Sequence, residues 1–468
     1  MSETETLPYD VVIIGAGPVG ENVADRTRAA GLSTAIVESE LLGGECSYWA
    51  CMPSKALLRP VIARADARRV PGLRTAVAGP LDVPAVLAHR DWFTSGWKDD
   101  GQVAWIEGIG ADLFRGHGRL SGERTVTVGT KTLTARHAVV VATGTRAALP
   151  PLPGLAEVRP WTSREATSSQ SVPGRLVVVG GGVVAVEMAT AYQAFGSRVT
   201  VLVRGDGGLL PRMEPFAGEL VTEALREAGA EIRTGVGVES VTRESGVVRV
   251  ALDTGDFVEA DEILFATGRT PHTDDLGLET VGLTPGSWLS VDDTLQVTGT
   301  DWLYAVGDVN HRALLTHQGK YQARIAGAAI TARVSGAPLG PAHHATADHH
   351  AVPQVVFTDP EAASAGLTLA EAESAGHRVR AVDVEFSSVA GAGLYAEGYK
   401  GRARMVVDVE AEILRGVTFV GPGVGELIHS ATIAIAARVP IDQLWHAVPA
   451  YPTISEVWLR LLEAYRDK

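Results

Sequence analysis

Gly15-Ala16-Gly17-Pro18-Val19-Gly20 follows directly on a short apolar run at residues 9–14. A helical segment then extends to Gly31, and a second strand, residues 33–37, ends in Glu38. This is the setting that a dinucleotide fingerprint requires. Gly15 permits the tight turn, Gly17 lets backbone approach a pyrophosphate, and Gly20 lets helix and strand pack closely. Pro18 lies in the same loop and is counted among the cofactor-binding positions. The helix N-terminus offers unpaired N–H groups and a positive dipole to phosphate, and Glu38 can accept hydrogen bonds from ribose hydroxyls.

The unit recurs. Residues 175–179 read as a strand, Gly180-Gly181-Gly182-Val183-Val184-Ala185 follows, a helix extends to Gly196, and residues 198–203 form the next strand. A constant offset of 165 carries Gly15 onto Gly180, Gly17 onto Gly182 and Gly31 onto Gly196. Two such units imply two dinucleotides. At the same offset Glu38 falls on Val203, with Arg204 next, and the third glycine becomes Ala185. An acid at that strand end suits a free 2′-hydroxyl, whereas an arginine suits a 2′-phosphate. The expectation is FAD in the first unit and NADPH, in preference to NADH, in the second. A solvated surface arginine is the plain alternative for Arg204.

The chain's two cysteines lie in Gly43-Gly44-Glu45-Cys46-Ser47-Tyr48-Trp49-Ala50-Cys51-Met52-Pro53-Ser54-Lys55, just beyond the first unit. One small ring in 468 residues constrains little of the unfolded chain, so a structural staple is excluded. Two buried thiols packed as small hydrophobes remain one reading, and a disulfide that opens and closes during turnover is the other. The segment after Cys51 reads as a helix entrance, whose dipole favours a thiolate. Tyr48 and Trp49 between the cysteines either shape an acceptor site, stacking a planar acceptor, or belong to the core.

A net charge of −14 disfavours nucleic acid and anionic membrane as partners. The polar, acidic opening resembles neither a signal nor a transit peptide, and no apolar run approaches a membrane span, which makes a cytoplasmic location the expectation. No metal site is expected. Residues 57–69 read as helix, whereas 71–110, rich in Gly, Pro and Trp, give no clear period and are assigned only as helices and connecting loops. Two strands run into Ala142-Thr143-Gly144 and Ala266-Thr267-Gly268-Arg269, which read as the points where chain enters and leaves the second nucleotide domain. Residues 302–306 form a strand ending in Gly307-Asp308, either a turn or a place where carboxylate and N–H meet a ribityl or pyrophosphate group. From about residue 346, strands at 354–358, 403–409 and 416–420 alternate with helices at 425–437 and 454–465. The fold class is therefore α/β. Two Rossmann-like dinucleotide-binding domains are expected, a discontinuous FAD domain at 1–149 and 272–345 and an NAD(P)H domain at 150–271, with a C-terminal α/β domain at 346–468.

Assembled, these motifs resemble, nearly end to end, the pyridine nucleotide–disulfide oxidoreductases of the glutathione reductase, dihydrolipoamide dehydrogenase and mercuric reductase group. Gly43 to Lys55 resembles their redox-disulfide motif and Gly180 to Glu187 their NADPH motif. Tyr304 to Asp308 resembles the second FAD motif, and Val355-Val356-Phe357-Thr358-Asp359-Pro360-Glu361 opens what looks like their dimerisation domain. The resemblance implies electron flow from NADPH through FAD and the Cys46–Cys51 disulfide to a small acceptor. It makes Cys51 the flavin-facing thiol and Cys46 the exchange thiol, with Lys55 and Glu187 paired near flavin and nicotinamide. Gly44, His117, Gly118, Thr143, Gly144, Gly307, Asp308, Leu315, Thr316 and His317 would line FAD, and Gly268 and Arg269 complete the cofactor-binding positions. For the histidines, an ordinary packed or surface imidazole is an equal alternative. It also implies a homodimer whose active site is completed by the C-terminal segment of the other subunit.

There the chain departs from the family. Members that reduce organic disulfides carry His-Pro-Thr, with a glutamate five residues beyond the histidine; here Tyr451-Pro452-Thr453 keeps Glu456 but not the histidine. Tyrosine, with a reference pKa of about 10, is a poor base at neutral pH, although it can donate a hydrogen bond. The second cysteine pair of mercuric reductases is absent too. The expected acceptor is thus a special disulfide or a compound such as a quinone. A dihydrolipoamide dehydrogenase using NAD and a redox-sensing flavoprotein without turnover are the alternatives.

Overall fold

The computed structural model describes residues 5–467, so most of the acidic opening lies outside the described residues. The chain divides into two compact units. The first comprises the residues through Pro53 with Asp91–Ala147 and Arg269–Asp348; the second comprises Ser54–Arg90, Ala148–Gly268 and the residues from His349 on.

The chain begins with β1 (Glu5–Ile14), α1 (Pro18–Ala29), β2 (Thr34–Glu38), α2 (Gly44–Tyr48) and α3 (Cys51–Arg69). There follow α4 (Val83–Phe93), α5 (Asp100–Gly108), β3 (Asp112–Arg115), β4 (Gly118–Gly122), β5 (Thr125–Val128) and β6 (Lys131–Val141). The first unit's sheet has the order β3-β2-β1-β6-β5-β4. Its centre is parallel: Val11 lies opposite Thr34 and Ala138. Strand β6 changes partner along its length, with Lys131 to Thr134 antiparallel to β5 and Val139 to Val141 parallel to Leu303–Ala305. Val12, Ile14 and Val139 enter one core and Val11, Ile13 and Val140 the other. Burial on both faces explains why these strands read as unbroken apolar runs. Helix Thr316–Ser335 lies along α1, where a Cβ on Gly319 would come within 2.6 Å of Val19.

In the second unit a parallel sheet takes the order Glu231–Thr234, Arg198–Val203, Arg175–Val179, Glu262–Phe265. An antiparallel ribbon of three strands and a five-stranded antiparallel sheet, from Pro353–Val356 to Ile413–Gly421, complete it. Helix Val183–Phe195 is buried along most of its length, with Leu57, Leu58 and Val61 of α3 in the same core.

Helix α3 starts at Cys51, in keeping with the helix entrance read there and ahead of the run at 57–69; Pro53 falls in its first turn, where no donor is lost. The stretch 71–110 contains the expected helices, α4 and α5, joined by a corner. There Ser95, Gly96 and Trp97 have φ of 53°, 60° and 56°. Left-handed backbone at a non-glycine residue costs on the order of 1–3 kcal/mol, so the corner must be held by its surroundings. The helix expected at 454–465 opens with a tight turn, Ile454–Glu456, where the Glu456 carboxylate accepts from Thr453 N, before the α-helix Val457–Arg466. No helix among the described residues is long and apolar enough to cross a membrane.

Candidate redox site and nucleotide cradles

Both glycine turns close in the same way. Gly15 N donates to Val37 O and Ala142 N to Ile14 O; in the second unit Gly180 N donates to Leu202 O and Ala266 N to Val179 O. A Cβ on Gly15 would lie 2.5 Å from Ala142 O, and one on Gly180 would lie 2.4 Å from Ala266 O. These first glycines have φ of 100° and 127°, so both space and backbone demand glycine. At Gly17 and Gly182 a Cβ would meet nothing within 4 Å. That open space above a helix N-terminus is what a diphosphate needs, and here the residues fit the dinucleotides that the sequence implies. Gly20 packs so tightly that its Cβ would strike Gly15 O at 1.9 Å; the corresponding Ala185 is fully buried. Pro18 is the first residue of α1.

Glu38, at the tip of β2, accepts from Ala16 N at 2.8 Å and from Glu40 N at 2.7 Å, which fixes its carboxylate beside the turn. Arg204, at the corresponding tip, is exposed, with no ion pair or hydrogen bond to its side chain among the described residues. Gly144 and Gly268 are left-handed, and Thr143 donates to His272 O. Thr145 donates to Asp308 at 2.8 Å, Arg269 bonds Thr145, and the Arg269 Nε lies 3.8 Å from the Asp308 carboxylate. Burial pushes the Asp308 carboxyl above the usual range, against Thr145 and Arg269. Gly307 N is held by the buried Gln322 at 2.8 Å. A Cβ on Gly118 would crowd Val37 at 2.9 Å, whereas His117 is exposed and bonded to Asp275 O. Leu315 caps the long helix, and His317 is exposed on its first turn.

The sulfurs lie in the first unit. Cys46 is in the single turn of α2 and Cys51 opens α3; both are thiols and partly buried. Cys51 Sγ is 3.2 Å from Thr316 Oγ1. The Cys46 thiol is held far above the ordinary cysteine range, first by its hydrogen bond to Cys51 and then by burial. Cys51 itself sits at the N-terminal end of α3, a place that favours negative charge. Gly44 abuts the glycine turn, its Cβ position 3.0 Å from Gly17 Cα.

Lys55, one turn after Cys51 on α3, pairs with Glu187 at 2.7 Å. Glu187 is buried, and its other oxygen accepts from Phe357 N at 3.0 Å, while the Lys55 ammonium lies 4.9 Å from the Phe357 ring centre. At the C-terminal end Tyr451 is 75% exposed, and Glu456 is buried, accepting from Thr453 N and Gly391 N. Both backbone donors bond the same oxygen, Oε1, of the Glu456 carboxylate. No cluster of three or more metal-ligating side chains occurs among the described residues.

Sequence reasoning passed over Phe357, Thr145 and Glu21. Thr145 was detectable, since it follows Ala142-Thr143-Gly144 as Arg269 follows Ala266-Thr267-Gly268. Glu21, in the first turn of α1, carries a buried Oε1 with no partner among the described residues. Burial pushes its carboxyl up to about 7, with Lys320 opposing and Glu38 reinforcing.

Residues 9–329 match the pyridine nucleotide-disulphide oxidoreductase family, and residues 352–461 match its dimerisation domain. The chain belongs to this family of FAD-dependent flavoprotein oxidoreductases. It is 30% identical to a mercuric reductase of Staphylococcus aureus over 96% of this chain and 81% of that protein. It is 31% identical to a dihydrolipoyl dehydrogenase of Haloferax volcanii, over 97% and 95% respectively. Among solved structures, the HOCl-induced flavoprotein disulfide reductase RclA of Escherichia coli superimposes with a TM-score of 0.83 at 22% identity, covering 97% of this chain and 99% of that one.

Proposed function

We propose that this chain is an NADPH oxidoreductase that delivers two electrons through the Cys46–Cys51 pair to a small acceptor, either a disulfide or a quinone. The observation that carries the reading is Cys51 at the head of α3, against Thr316 and hydrogen-bonded to Cys46. Bound FAD would supply the two-electron link between nicotinamide and sulfur. Gly15, Gly17, Pro18 and Gly20 would hold its diphosphate and Glu38 its adenosine ribose, with Gly307 and Asp308 on the ribityl side. Gly180, Gly182 and Ala185 would hold the nicotinamide dinucleotide, with Arg204 on the 2′-phosphate. Lys55, fixed by Glu187, keeps a positive charge one turn from the thiolate. Cys46 keeps its proton while Cys51 carries the charge, and the exchange step begins when the proton passes to Cys51 and leaves Cys46 as the nucleophile.

Tyr451 in place of a histidine removes the neutral-pH acid that would protonate an outgoing thiolate, which favours acceptors not needing one. Its exposure suits a segment that completes the site of a second copy of this chain. A dihydrolipoamide dehydrogenase is the second reading, favoured by the identity to such an enzyme along nearly the whole chain.

Comparing kcat/KM for NADPH and NADH, in the wild type and Arg204→Ala, tests the nucleotide assignment. Loss of one charged contact to phosphate, worth about 1.5–3 kcal/mol, should lower the NADPH value roughly tenfold or more and leave NADH nearly unchanged. A wild-type preference for NADH overturns it.

A further inference from the structure

Helix α2, which carries Cys46, is one turn of five residues with no side-chain cap, too short to hold itself. The glycine turn borders one side of it: Gly43 N donates to Ala16 O at 2.8 Å. On the other side lies the left-handed corner between α4 and α5. Leu42 N donates to Asp99 at 2.8 Å, and Asp99 is itself held by Arg115 at 2.6 Å. Tyr48 closes α2 and is buried, its hydroxyl 3.1 Å from Gln102 Oε1 and 3.3 Å from Lys98 O. The Trp97 indole N–H donates to Tyr48 O at 3.0 Å, satisfying a carbonyl that a helix end would leave unpaired. Trp97 is bulky, and its φ of 56° is one that such a residue rarely adopts. Backbone held in so disfavoured a region points to a constraint worth its strain.

We propose that Tyr48 and Trp97 are positioning residues that clamp α2 so that the Cys46 sulfur is presented to Cys51, which sets the equilibrium between dithiol and disulfide. The proposal rests on the redox reading of the two cysteines. Both act through the helix that carries one of the reacting sulfurs. Immobilising α2 raises the effective concentration of one sulfur at the other, so the clamp favours ring closure.

The test uses the FAD-loaded protein and glutathione. Closing the ring forms the Cys46 Sγ–Cys51 Sγ bond, while the two electrons and two thiol protons go to oxidised glutathione, which is cleaved into two reduced molecules. Wild type, Trp97→Phe and Tyr48→Phe are equilibrated over a series of glutathione ratios, quenched with an alkylating agent and weighed. Trp97→Phe removes the indole donor together with part of the ring, and Tyr48→Phe removes only the hydroxyl. Each should lower the ring-closure constant about tenfold, equivalent to about 30 mV for this two-electron couple. A role confined to stability would lower Tm and leave that constant in place, so an unchanged constant in both folded variants overturns the clamp. If one variant fails to fold, the other decides by itself. A wild-type pair that never exchanges with glutathione overturns the redox reading beneath the clamp, and with it the clamp.

Discussion

Lys55 and Glu187 are 132 positions apart and meet at 2.7 Å, one buried and the other about a third exposed. Removing one partner of a fully buried pair costs about 3–5 kcal/mol, because the other charge is left stranded. Partial exposure of Lys55 lowers that range, so Lys55→Met should destabilise by about 2 kcal/mol in urea unfolding. Glu21 gives a prediction in pH. Its proton stays on in both states below about pH 4.5. Between there and pH 7 the unfolded chain ionises while the folded one keeps its proton, so stability falls as pH rises and levels off above 7. At about 1.4 kcal/mol per pKa unit the loss is on the order of 3 kcal/mol, and Glu21→Gln should abolish that slope in unfolding curves taken across the interval.

At the scale of elements, the paired glycine turns make a contrast that one substitution each can read. Gly15→Ala meets both a clash with Ala142 O and an unfavourable φ, and should cost about 2–3 kcal/mol of stability. Gly17→Ala has open space and a φ of −67°, so Tm should stay put while FAD retained on gel filtration falls. These turns were legible because every residue that makes them lies within a few positions of a strand end, and the glycines announce the geometry. The clamp on α2 was not. Tyr48 read as either acceptor wall or core, and core is where it lies; its partner Trp97 is 49 residues away, in a stretch with no period. Glu456 shows a subtler limit. Its spacing from Tyr451 was plain, but only the structure gives its two backbone donors, Thr453 and Gly391. Tertiary partners at long separation leave no local mark on composition or periodicity.

At the scale of the molecule, the dimerisation domain and the exposed Val448 and Tyr451 call for a second copy. Mixing Cys46→Ser chains with Tyr451→Ala chains tests whether a site is shared between subunits. If the segment around Tyr451 completes the partner's site, each mixed dimer holds one doubly impaired site and one intact site; about half of the randomly reassociated dimers are mixed, so activity should reach about a quarter that of wild type. Purely additive residual activity would place both residues in one subunit's site. The two dinucleotide folds are closed by the same pair of backbone hydrogen bonds, yet the tips of their second strands differ, with Glu38 in one and Arg204 in the other. If Glu38 and Arg204 choose the cargo as proposed, closure and choice are separable traits. A lineage, or a protein engineer, would then rewrite which coenzyme is accepted by editing a strand tip, while the architecture that grips its phosphates is inherited untouched.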